Sequence, residues 1–294
     1  MTKISLIVPF FSPDKETETK RVKKFRDWCI ETFEEKLPRI FPDIEKPDYL
    51  FAMTDQVDYI DTNFIQQFKG VTPKGLMVHG KLLSLISKID YTQIDNHYFV
   101  LIDGSGKIAY DNVFNVLDIL SKGKQIVLGC RPKDFGVSDS RKDIEHFENF
   151  LVEEKYKVVL PDAQCGCWGG HANILKSLPL TAKTYDIEID LVSSAIANNL
   201  SISFIPVTMD INEFPISNFT SFDIDITKLN FLTNKLGLDK HSIQLSYKKF
   251  NEIYKIELPE EYLNHFNSVP ESKYRKKFDC IGICDKDCKK VYKY

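Results

Sequence analysis

Five short runs of β-branched and aromatic residues, at 4–8, 49–53, 98–102, 125–128 and 202–207, restrict the fold of this chain more than any other feature. Each has almost no polar interruption, the pattern of a strand buried on both faces. Between them lie segments with helical spacing. Val22, Phe25, Cys29, Phe33 and Leu37 fall on one stripe, as do Val113, Val116, Leu117 and Leu120. Buried strands alternating with amphipathic helices predict an open, mainly parallel α/β sheet covered by helices, with ligands at the carboxyl ends of the strands. The loops after Pro9, Met53 and Ile102 are therefore where chemistry is expected.

Beyond about Asp210 this rhythm fades into polar, aromatic-rich sequence punctuated by Pro259 and Pro270. The expected division is an α/β domain over residues 1–212 and an accessory, mainly helical region over 213–294. A chain of 294 residues is long enough for both. The formal net charge of -3 gives no overall positive field, which argues against nucleic acid as a partner. No apolar run reaches the roughly 18 residues of a membrane-spanning helix, and the opening segment is too brief for a secretion signal, so a cytoplasmic protein is expected.

The seven cysteines are odd in number and mostly scattered, which favours reduced thiols over a disulfide framework. Cys280, Cys284 and Cys288 recur at helical spacing. A seam of small apolar side chains explains them better than a metal site, because no fourth ligand is evident. Lys273, Arg275, Lys276, Lys277, Lys289, Lys290 and Lys293 make the tail basic. That composition suits a solvated terminus, or peripheral contact with anionic lipid at the inner membrane face.

Four segments carry the candidate chemistry. Phe99-Val100-Leu101-Ile102-Asp103-Gly104-Ser105-Gly106 puts a carboxylate at the tip of a buried strand, followed by residues that let the backbone turn tightly. Gly129-Cys130-Arg131 ends the next apolar run in a guanidinium, a group that forks onto phosphate oxygens. Asp162-Ala163-Gln164-Cys165-Gly166-Cys167 comes third, and Tyr185-Asp186-Ile187-Glu188 fourth. Asp55 follows the second run, where dinucleotide folds place a ribose-binding acid, although a solvated loop aspartate reads equally well.

In this order, and closed by Phe204-Ile205-Pro206-Val207, these segments resemble family 2 glycosyltransferases over about residues 3–209, most of all the polyprenyl-phosphate sugar transferases. The resemblance implies the GT-A fold, a Rossmann-like mixed sheet flanked by helices, with a mainly helical C-terminal appendage. It also implies transfer of a hexose from a nucleoside-diphosphate sugar to an acceptor hydroxyl or phosphate, a polyprenyl phosphate among the candidates. Asp103 matches the first acid of an Asp-x-Asp motif, whose carboxylates hold a divalent cation, manganese or magnesium, against the diphosphate. Ser105 stands in place of the second acid as a weaker, uncharged ligand. Lys107 replaces a glutamine and is expected to put positive charge directly on the diphosphate.

Arg131 and Arg141 correspond to phosphate-binding positions, and Asp162 and Gln164 to residues that orient the sugar or acceptor. With Asp103, Arg131 completes the expected catalytic set. Gly166 lets the chain approach closely, and Trp168 is either a flat apolar face for the sugar or a core tryptophan. Glu188 is either a ligand or a first-turn acid favoured by the helix dipole. An isolated His171 reads as structural. Ser105 and Lys107 keep a second reading open, a degenerate transferase that binds nucleotide, sugar or partner without turnover. A nucleotidyltransferase ranks last, because the first loop lacks a glycine-rich, basic grip for a triphosphate.

Overall fold

The computed structural model describes residues 1–10, 15–54, 71–72, 96–132, 139–182, 186–210, 222–268 and 290–291, and in it each of the five apolar runs forms a strand. In chain order the elements begin with β1 (Lys3–Pro9), α1 (Lys15–Trp28), a π-turn (Cys29–Phe33), the short α2 (Glu34–Lys36), β2 (Asp48–Thr54) and β3 (Val71–Thr72). They continue with β4 (His97–Ile102), α3 (Asn112–Ser121), β5 (Ile126–Cys130), α4 (Asp139–Tyr156), β6 (Val158–Val159) and β7 (Cys167–His171). The last are α5 (Ala172–Ser177), α6 (Ile187–Ala197), β8 (Ile202–Pro206), α7 (Phe222–Leu236), α8 (Lys240–Tyr254), α9 (Glu260–Ser268) and β9 (Lys290–Val291). Asp55, Tyr185, the expected division at 212 and the three C-terminal cysteines lie outside the described residues.

The chain divides into two compact units. One comprises Met1–Phe135, Gln164–Ile216 and Lys293–Tyr294, and the other Gly136–Ala163 and Ser217–Tyr292. The helix α4 thus groups with the C-terminal helices, although a linear division at 212 would leave it with the sheet. Among the described residues no helix is long and apolar enough to cross a membrane.

The first unit is built on a seven-stranded sheet in the order β3-β2-β1-β4-β7-β5-β8. β1 pairs in parallel with β2 and β4, and β5 pairs in parallel with β8. β7 lies between β4 and β5 and runs antiparallel to both. The sheet is therefore mixed, and its one reversed strand is the element the apolar pattern did not announce. Cys167-Trp168-Gly169-Gly170-His171 carries two glycines, which are poor strand formers. Local space requires them. A methyl at Gly169 would sit 2.6 Å from the Phe99 carbonyl oxygen and 2.8 Å from Val116 Cγ1, and one at Gly170 would sit 2.9 Å from the Gln125 carbonyl oxygen.

One face of the sheet carries an aromatic cluster. Phe25 meets Phe10, Phe51 and Tyr110 edge-on at 5.8, 5.3 and 4.7 Å between ring centroids. Burying each such ring contributes about 1.5–3 kcal/mol. The stripe from Phe25 through Cys29, Phe33 and Leu37 advances by four residues at each step, about 40° more than an α-helical turn of roughly 3.6 residues. The wider π-turn at Cys29–Phe33 takes up that excess, so Cys29, Phe33 and Leu37 all stay buried. Beneath it the buried Tyr49 hydroxyl donates to Glu34 Oε1 at 2.8 Å.

In the second unit the aromatic face of α8 packs on α4. Phe250 meets Phe147 at 5.3 Å and Phe150 at 5.5 Å. Lys228 of α7 is buried with its ammonium 3.6 Å from Glu145 and 3.4 Å from Glu148. The Tyr262 hydroxyl of α9 donates to Asp225 at 3.0 Å. A buried lysine is tolerated only beside such carboxylates.

Gly169→Ala is expected to destabilise the protein by about 1–3 kcal/mol, because the methyl meets main-chain oxygen that has no room to retreat. Urea unfolding of the variant checks this, and an unchanged midpoint would contradict the packing described for β7.

Candidate functional site

The reversal of β7 determines what gathers at the carboxyl edge of the first unit. Ile102 at the end of β4 pairs with Cys167 at the start of β7. The loop entering β7 therefore meets the loop leaving β4. The Asp103 N–H donates to the Gly166 carbonyl at 2.8 Å, and the Gly104 N–H donates to the Pro9 carbonyl at 3.0 Å. Gly166 eases this approach, since a methyl there would lie 3.1 Å from Asp103 Cβ. Gly104 is more confined still, its missing methyl only 2.4 Å from the Phe10 ring.

The turn after β4 is stabilised by its own polar groups. Asp103 Oδ1 accepts from the Ser105 N–H at 2.9 Å, and Ser105 Oγ accepts from the Lys107 N–H at 3.4 Å. Gly106 takes a left-handed φ of 78°, a conformation costly for any residue with a side chain. Asp103, Ser105 and Lys107 are half-buried, while Gly104 and Gly106 between them are buried. The turn thus directs alternate residues outward.

β5 ends at the same edge. The Val207 N–H donates to the Cys130 carbonyl at 2.9 Å, and Arg131 follows at once, half-buried. A methyl at Gly129 would fall 2.6 Å from Val207 Cγ1, 2.8 Å from Cys165 Sγ and 2.9 Å from the Cys167 carbonyl oxygen. The glycine of Gly129-Cys130-Arg131 is therefore a packing requirement of three converging segments. Asp103, Arg131 and the loop Gln164-Cys165-Gly166 share one edge of one sheet.

Asp162 is buried and belongs to the second unit. Arg141 also lies in the second unit, on α4, with its Nε donating to Glu145 at 3.1 Å. Glu188 is buried in the first turn of α6, between Asp186 and Asp190. Asp190 accepts from the N–H groups of Thr181 and Ala182 at 2.6 and 2.7 Å, so part of this acidic cluster anchors the preceding segment.

The expectation for Trp168 needs correction. Its side chain is 0% exposed and its ring stands edge-on to Phe99 at 5.4 Å. A ring without exposed surface offers no face to a sugar, and the strand register points it into the core beside Leu101 and Leu128. His171 lies at the far end of β7, opposite Tyr98 at the start of β4, its ring 4.5 Å from the tyrosine's. Burial lowers its pKa. It lies at the edge away from Asp103.

The polar atom that sequence reasoning overlooked is the amide of Asn112, 1% exposed at the start of α3. Its Nδ2 donates to the carbonyls of Ala109 and Thr208 at 2.7 and 2.9 Å, and its Oδ1 accepts from the Thr208 N–H at 3.0 Å. A polar residue just before the apolar stripe at Val113 was the available signal.

No protein-family profile matches this sequence, and no curated protein matches it. Among solved structures the chain is similar to glucosyl-3-phosphoglycerate synthase from Mycobacterium tuberculosis in complex with phosphoglyceric acid. The TM-score is 0.53 at 12% identity, with 81% of each chain covered. The same enzyme in complex with Mn2+ and uridine-diphosphate-glucose matches with a TM-score of 0.50 at 12% identity, over 81% of this chain and 80% of that one. Its complex with Mn2+, uridine-diphosphate and phosphoglyceric acid gives a TM-score of 0.50 at 14% identity, over 81% and 79%. The fold is GT-A, a mixed sheet flanked by helices with a helical C-terminal part.

The donor set at the edge suits a cation that arrives with a diphosphate. Asp103 and Ser105 offer hard oxygen ligands on a single turn. The described residues contain no group of three or more acidic, imidazole or thiol ligands, the set a resident ion would use. Magnesium-like ions are commonly held by one or two carboxylates and completed by substrate phosphates.

Cys29, Cys130, Cys165 and Cys167 are buried thiols, and burial pushes the Cys167 pKa up to about 12. A pulse of iodoacetamide on the native protein near pH 8 is therefore expected to leave these four unmodified, whereas unfolding first exposes all of them. Peptide mapping checks this. Rapid native labelling of Cys165 or Cys167 would show a reactive thiol where the structure has an inert one.

Proposed function

We propose that this chain is a glycosyltransferase that moves a hexose from a nucleoside-diphosphate sugar to an acceptor carrying a phosphate. The observation that supports it is the joining of the Asp103 turn to the Gln164–Gly166 loop at one edge of a GT-A sheet, with Arg131 following the neighbouring strand. A phosphate is the chemistry shared by a polyprenyl phosphate and by the phosphoglyceric acid bound to the similar enzyme. Where the phosphate oxygen is itself the acceptor, as in a polyprenyl phosphate, it is already anionic and no strong general base is needed.

In this reading Asp103, assisted by Ser105, holds a manganese or magnesium ion on the diphosphate. The ion, when bound, neutralises charge that grows on the departing phosphate. Lys107 supplies a second, protein-borne positive charge to the same group. Arg131, which follows β5 at this edge, anchors a phosphate with its planar fork. Gln164 orients the sugar or acceptor, Gly166 keeps the approach open, and Glu188 completes the acceptor side.

Release of nucleoside diphosphate from a panel of nucleotide sugars, with and without phosphate-bearing acceptors, is the direct assay. Turnover with at least one donor is expected. Asp103→Asn should then lower kcat by about 100-fold or more, and Lys107→Ala by a comparable factor. The replacement of the second acid by Ser105 favours one alternative, a binding protein without turnover. Tight binding of nucleoside diphosphate with no release from any donor would establish that alternative.

A further inference from the structure

The turn that presents Asp103 and Lys107 is tied at its start by the Gly166 and Pro9 carbonyls. Its far end depends on a second set of bonds. Residues 107–109 run antiparallel to residues 208–210, the segment that continues β8. The Ala109 N–H donates to the Thr208 carbonyl at 3.0 Å, the Asp210 N–H donates to the Lys107 carbonyl at 2.6 Å, and Ile108 bridges Met209. Asn112 closes this ladder by gripping both sides at once, through Ala109 and through both main-chain polar groups of Thr208.

Three features single out this side chain. It is buried, so no water replaces its bonds without a rearrangement. Only a planar amide offers two donors and an acceptor in that geometry. The apolar seat of its own helix is made by other residues, Val113, Val116, Leu117 and Leu120 of α3. What the amide does fix is the distance between the turn and the end of β8.

We propose that Asn112 is a positioning residue that holds the turn bearing Asp103 and Lys107 in its working geometry by clamping it to the β8 extension. This rests on the glycosyl-transfer reading. Displacing such a turn by about an ångström is enough to cost a large factor in rate, since the charges must meet the leaving phosphate in register.

The experiment compares Asn112→Ala, the isosteric Asn112→Asp and a core control, Val116→Ala, in donor turnover and thermal unfolding. Both Asn112 variants are expected to lower kcat by about 10- to 100-fold, with the acceptor KM essentially unchanged. Asn112→Asp should be at least as damaging as Asn112→Ala, because it turns carboxylate oxygen toward two carbonyl oxygens. Val116→Ala should lower the melting temperature yet keep near-wild-type kcat. The proposal is overturned if the Asn112 variants turn over normally, if Asn112→Asp is benign as a packing role requires, or if Val116→Ala loses kcat to the same degree. A wild-type protein that turns over no donor would instead defeat the glycosyl-transfer reading, and this proposal with it.

Discussion

The main-chain hydrogen bond from Asp103 to Gly166 joins two loops far apart in the sequence, and it exists because β7 enters the sheet against the direction of β4 and β5. Had β7 run parallel to them, its first residues would lie at the opposite edge. Gln164 and Gly166 would then be a strand length from Asp103. The reversed strand also explains the glycines around it. Gly129, Gly169 and Gly170 occupy places where main chain or core side chains approach too closely for a methyl, and Gly166 lies close against Asp103. Part of what reads as a functional motif is thus the steric condition for the edge to assemble.

Polar side chains then rigidify what the backbone has brought together. The Asp103 turn is held by its own carboxylate, by Pro9 and by the ladder to residues 208–210. A site that must place charge against a leaving phosphate gains from such rigidity, because dipoles and charges already in place need no reorganisation during reaction. The tight fit of Gly104 on Phe10 couples the turn to the aromatic cluster under α1.

Strands buried on both faces announce themselves as apolar runs, and so β1, β2, β4, β5 and β8 were legible. β7 was not, since Gly169 and Gly170 remove the β-branched signal for reasons visible only in three dimensions. The same limit applies to Trp168, whose ring, by strand alternation, belongs to the core although Gly166 two residues earlier meets the Asp103 turn. Asp103 and Arg131 were legible as polar residues ending buried runs. The grouping of α4 with the C-terminal helices was hidden because it depends on non-local packing around Phe147, Phe150 and Phe250. The clamp at Asn112 was hidden for a related reason, its partners being main-chain atoms whose identity leaves no trace in sequence.

A crystal structure with a nucleoside diphosphate and manganese tests the central claim most directly. The account predicts the diphosphate and its ion against the Asp103–Lys107 turn, at the edge where Gly166 meets Asp103. A ligand seated instead at the opposite edge beside His171, or a diphosphate with no contact to Asp103, would contradict it.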